Sequence, residues 1–274
     1  MIAWNDYETG NHRLSCPACG RGERDKTFGL TVEADGKGVA HCFRCEFTET
    51  FRPDKGGNVA RFPTIKAAQL LAKHDTLSAS GRDLWNACKP LSGVAIDYLA
   101  ARHCRVPPAD GDLRWHPSLK HPTGYVGPAL VALVTDVLNG EPLSLHRTWI
   151  RADGRKAEVA PPRLLLGGHR KQGGVIRLWP SEAVTVGLGV AEGIETALSL
   201  AWAYLPTWAC IDAGNLRALP RLPGIESLVI GADNDPAGMD AAHACARRWA
   251  ADGAEVYMTK QAENDLNDTL AEAA

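Results

Sequence analysis

The 274-residue sequence contains no run of eighteen apolar residues, so no segment is expected to cross a bilayer as a helix. Its first residues lack the apolar core of a secretory signal, and the expected location is the cytoplasm, away from any membrane. In that compartment the eight cysteines are expected as thiols or metal ligands rather than disulfides. No G-x-x-x-x-G-K-S/T occurs, which excludes a P-loop motor within the chain. There is also no excess of one charge: the formal net charge is −2, which taken whole argues for no particular partner. What remains is an ordinary globular composition, long enough for one large domain or two to three small ones.

The charge is unevenly distributed. Residues 1–61 balance nine Lys and Arg against nine Asp and Glu, and 62–101 carry four against three. Residues 102–180 carry twelve cations against six anions, and 181–274 carry five against fourteen. An acidic end beside a basic middle fits a protein that holds phosphates through a metal at one wall. Side chains would hold a triphosphate or nucleic-acid backbone at the other.

Two C-x-x-C knuckles, Cys16-Pro17-Ala18-Cys19 and Cys42-Phe43-Arg44-Cys45, stand twenty-two residues apart. Each puts two sulfurs on one tight turn, and together they complete a closed tetrahedral Zn²⁺ site of the structural kind. The spacer predicts a hairpin: Phe28, Leu30 and Val32 alternate with polar residues, Asp35-Gly36-Lys37-Gly38 turns, and Val39 to Phe43 returns. Residues 1–51 therefore read as a zinc ribbon. Neither knuckle opens a helix after a strand, as a redox C-x-x-C does. His12 and His41 lie nearby but are not needed as ligands. The exposed Arg21, Arg24, Lys26, Lys37 and Arg44 suit nucleic acid or a solvated mixed face equally.

Residues 52–63 read as a flexible linker. Helices are expected over Thr64–His74 and Gly93–Cys104, with Cys88 and Cys104 as buried thiols. From Leu113 the pattern becomes strand-like, with Ala129–Val137, an Asn139-Gly140 turn, and Pro142–Ile150. His146 and Arg147 sit on the outgoing strand, followed by Arg151, Arg155, Lys156, Arg163, Arg170 and Lys171 among Gly and Pro. Such loops are suited to phosphates, with Arg bidentate and Lys a point charge.

Between Val184 and Lys260, four β-branched-rich runs alternate with helical patterns: Val184–Val190, Thr207–Ile211, Ser227–Ile230 and Ala254–Met258. Ile194–Ala203 and Pro236–Ala251 are the helices, with Asp235 a candidate N-cap and Pro236 in the first turn. This alternation predicts a parallel sheet whose crevice lies at the carboxyl ends of its strands. Glu192 follows the first strand, Asp233 and Asp235 follow the third as D-x-D, and Asp265 and Asp268 follow the last. Carboxylates converging from separate strand ends repel one another unless a divalent cation sits among them, and Mg²⁺ takes such ligands together with substrate phosphates.

The segments E-G-I-E-T-A-L-S, A-D-N-D-P-A-G and Asn264-Asp265-Leu266-Asn267-Asp268 resemble the TOPRIM domain shared by bacterial-type DNA primases, topoisomerases and some nucleases. The wording is most similar to primases of phages, plasmids and other mobile elements. A four-cysteine zinc ribbon ahead of the catalytic core is also similar to phage primases. The resemblance implies Glu192 as general base or metal ligand, and Asp233, Asp235 and Asp265 as ligands of Mg²⁺ or Mn²⁺. It implies Arg147, Lys156 and Arg163 as contacts to the incoming nucleotide and template, in H-R-T, the following Lys and P-P-R-L. Asn264 ahead of Asp265 departs from many relatives.

The expectation is an α/β protein: a small zinc ribbon (1–51), a linker (52–63), a basic α+β subdomain (64–182) and a Rossmann-like TOPRIM domain with a mostly parallel sheet (183–274). The function expected from the resemblance is synthesis of short RNA primers on a single-stranded DNA template from ribonucleoside triphosphates. The replicative helicase would be a separate partner. A topoisomerase would need a longer chain to form a DNA gate. Two alternatives stay open: a TOPRIM-type nuclease using the same carboxylates, and a non-catalytic zinc-ribbon nucleic-acid-binding protein.

Overall fold

The computed structural model describes residues 2–19, 25–42, 44–45, 47–53, 59–61 and 74–259. Two compact units divide the chain, Met1–Ala72 and Lys73–Ala274. The expectation of a flexible linker over 52–63 is corrected at Val59–Arg61, which form a strand paired with Thr48–Thr50 because the meander continues through them. Of the helix expected over Thr64–His74 only His74 is described, in a β-bridge to His169, and Asp265 and Asp268 lie outside the described residues.

The first unit is a single antiparallel meander. Strands β1 (Gly10–Leu14), β2 (Phe28–Val32), β3 (Gly38–Cys42), β4 (Thr48–Phe51) and β5 (Val59–Arg61) pair in chain order. The β2–β3 hairpin has the register expected from its alternation, Phe28 opposite Cys42 and Val32 opposite Gly38. Phe28, Leu30 and Ala40 point inward and join Trp4, Phe47, Cys16 and Cys42 in one small core. Glu49 on β4 is fully buried, and its Oε1 accepts from the Trp4 indole N–H at 3.1 Å and the Ile2 amide at 3.0 Å. A core of this size supplies little folding energy by itself, which makes the cysteine cluster at its end important to the unit.

The second unit opens with α1 (Ala79–Ala87), whose N-cap Ser78 accepts from the Gly81 amide, and α2 (Val94–Ala101). An antiparallel sheet follows: β6 (Leu113–Lys120), β7 (Val126–Asp136), β8 (Pro142–Trp149), β9 (Arg163–Leu165) and β10 (Gly174–Val175). The long β7 is its centre and pairs with β6, β8 and β10. The β7–β8 connection places Gly140 at φ +77°, the left-handed conformation for which an Asn-Gly turn is suited.

The chain then becomes doubly wound, with β11 (Gly187–Ala191), α3 (Ile194–Leu200), β12 (Thr207–Ala209), α4 (Ala213–Ala218), β13 (Ser227–Gly231), α5 (Pro236–Ala251) and β14 (Glu255–Met258). The sheet order is β12-β11-β13-β14, parallel throughout. Every residue of β11 is buried, as a strand covered on both faces requires. One core, with Leu188, Val190, Leu228, Ile230, Cys245 and Trp249, lies between this sheet, α4 and α5. A second joins Ala191, Ile194, Ala197 and Leu198 to Tyr98, Leu99, Leu130 and Leu143. The antiparallel and parallel sheets of this unit thus share buried side chains, and their loops meet across a cleft.

Candidate functional site

The knuckles of the first unit bring the four cysteine sulfurs Cys16, Cys19, Cys42 and Cys45 within 4.8 Å of one another. Cys16 and Cys45 are 3.6 Å apart and Cys19 and Cys42 are 3.8 Å apart. Those separations are close to the ~3.8 Å edge of a tetrahedron with Zn–S bonds of about 2.3 Å, so the cluster fits a zinc ion. Against the effect of burial, amide groups of Cys45 and Arg44 hold the Cys42 thiol down to about 6. The Cys45 thiol and then burial push Cys19 up to about 12. Crowded thiols of this kind give up their protons when a cation takes the sulfurs. His12 bonds to the Glu8 carbonyl and His41 to Thr48, outside the cluster.

In the second unit a cleft of about 140 Å³ is lined by Glu192, Asp233, Thr196 and Gly193 together with Lys156, Arg163, Arg102, Glu195 and Ile211. Glu192 leaves the carboxyl end of β11 and Asp233 leaves that of β13, adjacent parallel strands in register from Gly187 and Ser227 onward. The sheet therefore delivers two carboxylates to one edge by topology alone. Burial, followed by the charges of Asp233, Asp235 and Asp212, pushes the Glu192 carboxyl up, while the Ala213 amide opposes the rise. Asp233 accepts from the Thr196 hydroxyl at 3.2 Å. Gly238 packs closely beside it: a Cβ there would stand 2.9 Å from the Asp233 carbonyl oxygen and 3.1 Å from its Cβ.

Asp235 is exposed and caps α5, its Oδ1 accepting from the Gly238 amide at 2.7 Å. That leaves its second oxygen for another partner while the helix end fixes the side chain. The donor set of this edge is hard oxygen, the kind that Mg²⁺ or Mn²⁺ takes. Asp212 was not singled out by the sequence pattern, yet it stands close enough to act on Glu192. It N-caps α4 and pairs with Lys171 at 2.7 Å.

The opposite wall is cationic. Lys156 lies 3.5 Å from the buried Glu195, which also accepts from the Tyr98 hydroxyl at 2.8 Å. Arg163, on β9, is exposed at the rim and has no ion pair to another described residue. Arg102 comes from the C-cap of α2, a position without any phosphate-loop signature in the sequence. Arg147 does not line the cleft: its guanidinium donates to the Leu165 carbonyl at 3.0 Å and stacks over Trp149. Its neighbour His146 is driven down to about 4 chiefly by burial, so its ring is neutral at pH 7. Of the residues expected to serve the site, Glu192, Asp233, Lys156 and Arg163 share the cleft and Asp235 stands at its edge. Asp265 lies outside the described residues.

Within the described residues no helix is long and apolar enough to cross a membrane. Among curated proteins, none matches the sequence. Three crystal structures resemble the chain at low identity. The Aquifex aeolicus primase (zinc-binding and RNA polymerase domains) is 14% identical, with 97% of this chain and 76% of that chain covered, at TM-score 0.46. The primase fragment of the bacteriophage T7 primase-helicase protein is 16% identical, with 96% and 95% covered, at TM-score 0.42. A DNA primase domain from Pseudomonas aeruginosa is 15% identical, with 77% and 74% covered, at TM-score 0.41. Residues 75–178 match the model of a domain of unknown function, DUF7146. Residues 187–274 match the Toprim domain, and the parallel sheet bearing Glu192, Asp233 and Asp235 is accordingly a Toprim domain.

Proposed function

We propose that this protein is a DNA primase, a nucleotidyltransferase that makes short RNA primers on single-stranded DNA. The observation that carries the reading is the two-sided cleft, with Toprim carboxylates on one wall and Lys156, Arg163 and Arg102 on the other. Hydrolysis of a phosphodiester requires the acids but not a facing wall of cations, and this favours synthesis over nuclease action. In this reading residues 1–51 form a zinc ribbon that selects the start site. Residues 64–182 hold nucleotide and template, and 183–274 carry the chemistry. A separate helicase would open the duplex.

In the proposed reaction the 3′-hydroxyl of one ribonucleotide attacks the α-phosphorus of the next; the new O–P bond forms as the bond to pyrophosphate breaks. Glu192, its proton affinity raised by burial and neighbouring acids, is suited to accept the hydroxyl proton. Lys156 and Arg163 offset triphosphate charge, and Arg163 has the fork to grip two oxygens. Asp233, Asp235 and Asp265 would hold Mg²⁺ or Mn²⁺, which supplies charge stabilisation at the α-phosphate and the leaving group. Cys16, Cys19, Cys42 and Cys45 would hold structural Zn²⁺.

The test is incubation of the full chain with mixed-sequence single-stranded DNA, labelled ATP, the other ribonucleotides and Mg²⁺, beside an Asp233→Ala, Asp235→Ala control. Short labelled oligoribonucleotides that are lost in the control are the expected result. Degraded template without new strand would replace the reading with a nuclease, and neither product would favour a binding module.

A further inference from the structure

Glu195 is a buried carboxylate in the wall of the cleft. It sits in the first turn of α3 with 6% of its surface exposed, among Ile194, Ala197 and Leu198 of a shared apolar core. Removing a carboxylate from water costs several kcal/mol unless partners replace the lost hydration. Two partners are present: the Lys156 ammonium at 3.5 Å and the Tyr98 hydroxyl at 2.8 Å. Burial raises the Glu195 carboxyl, yet Lys156, Tyr98 and its own helix amide outweigh it and hold the group near 2. The interior of the cleft wall therefore carries a standing negative charge.

That charge faces cations rather than the acidic edge. Lys156 comes from the segment between β8 and β9 and is tied to the sheet by a bridge to Ile150. Its four-carbon stem otherwise samples many rotamers, an entropy that is lost when a ligand fixes it. Glu195 fixes it beforehand. An ammonium has three donors and one carboxylate engages only part of them, so a ligand in the cleft can take the rest. Tyr98 extends the arrangement to Arg102. Its ring is fully buried, its hydroxyl ends on Glu195, and the Arg102 guanidinium lies 6.0 Å from its centre. The Cys104 thiol donates to the Glu195 carbonyl at 3.6 Å, tying the end of α2 to the same turn of α3.

We propose that Glu195 is the positioning residue of this cleft, presetting Lys156 and, through Tyr98, the Arg102 end of α2 to receive the phosphates of a nucleoside triphosphate. This assignment rests on the reading of the cleft as a nucleotide site. It divides the glutamates of E-G-I-E between two tasks: Glu192 serves the acidic edge, and Glu195 serves the cationic wall without touching the reacting atoms. A plain structural ion pair between α2, α3 and the Lys156 segment is the competing account. It would affect unfolding but leave ligand affinity alone once the protein is folded.

Calorimetric titration of the full chain with ATP and Mg²⁺ separates them, using Glu195→Gln, Lys156→Met, their double variant and Tyr98→Phe, each with a thermal melt. Gln keeps an acceptor for Tyr98 and the volume while removing the charge. ATP should bind about tenfold more weakly to E195Q and to K156M, and the double variant should be no weaker than K156M alone. Y98F should weaken binding about threefold with the charge retained, and it carries the test if E195Q does not fold. Equal losses from E195Q with and without Lys156, or lowered melting with unchanged ATP affinity in E195Q and Y98F, would overturn the assignment alone. A folded wild-type protein that binds no ATP would overturn the reading of the cleft and the assignment with it.

Discussion

The cysteine cluster and the carboxylate cleft both suit cations, but they differ in what holds the ligands in place. The four cysteines lie on two turns of a small antiparallel sheet whose core has few large side chains. Glu192 and Asp233 instead project from neighbouring parallel strands buried on both faces, and Asp235 is fixed by the α5 amide it caps. The first region has only a small core beside its cysteines, so a metal ion bound there would add much of the energy that keeps them together. In the second, buried parallel strands and a helix cap position the carboxylates, and burial followed by the charges of neighbouring acids raises the Glu192 carboxyl.

The largest expected effect breaks the first region and spares the second. Chelation of zinc, or Cys42→Ser, should unfold the ribbon, because structural zinc contributes roughly 10 kcal/mol in domains of this size. In hydrogen exchange, amides of β2 and β3 should lose protection while those of β11 and β13 keep it. Persistent protection of β2 and β3 without metal would mean that the ribbon core suffices. The next effect is the converse. Asp233→Asn keeps the size of the group and an acceptor for Thr196, so the melting temperature should change little. If the proposed reading holds, primer synthesis should fall by about 100-fold or more, since Asp233 would then supply a ligand charge at the reacting centre. A variant with near wild-type synthesis would take Asp233 out of the metal site.

The contrast also explains which parts were legible in the sequence. The β2–β3 hairpin, the β7–β8 pair, α5 with its Asp235 cap and the parallel sheet follow from alternation, turn residues and capping chemistry, all local signals. Glu192 and Asp233 were found because strand order puts the carboxyl ends of adjacent strands together. The short β1 and β4, α1 and the six-residue α4 have patterns too brief to stand out. Tyr98 and Glu195 are 97 residues apart, and their hydrogen bond exists only because α2 packs against α3. Arg102 reaches the cleft by the same packing. The hydrogen bond of the Arg147 guanidinium to the Leu165 carbonyl likewise depends on β9 lying beside β8, which no local pattern shows.

A smaller perturbation sharpens how tightly the acidic edge is built. In Gly238→Ala the new methyl must displace Asp233, whose backbone oxygen and Cβ lie within 3.1 Å of it. Alanine gains about 1 kcal/mol over glycine inside a helix, whereas overpacking costs typically 1–3 kcal/mol. The expected outcome is a modest net loss of stability in denaturant titration, together with weakened Mg²⁺ binding because Asp233 moves. A stabilised variant with unchanged metal affinity would show that the D-x-D turn yields easily.

The finest test concerns Ile211, the aliphatic residue among the cleft's lining side chains. It stands between β12 and Asp212 at φ +75°, and the Asp212 amide donates back to the Cys210 carbonyl at 2.9 Å. This is the three-residue turn of the rarer, strained hand, and a β-branched residue adopts it at a cost of about 1–2 kcal/mol. The turn directs the chain so that the Ala213 amide faces Glu192. Ile211→Ala and Ile211→Gly both remove the aliphatic chain, so their difference isolates the backbone. In an ordinary strand glycine is worse than alanine by about 0.5–1 kcal/mol; at this φ the order should reverse, with I211G the more stable by about 1 kcal/mol in paired unfolding curves. If I211A proves the more stable, the left-handed turn is not held in solution, and the acidic edge is less rigid than the comparison with the cysteine cluster requires.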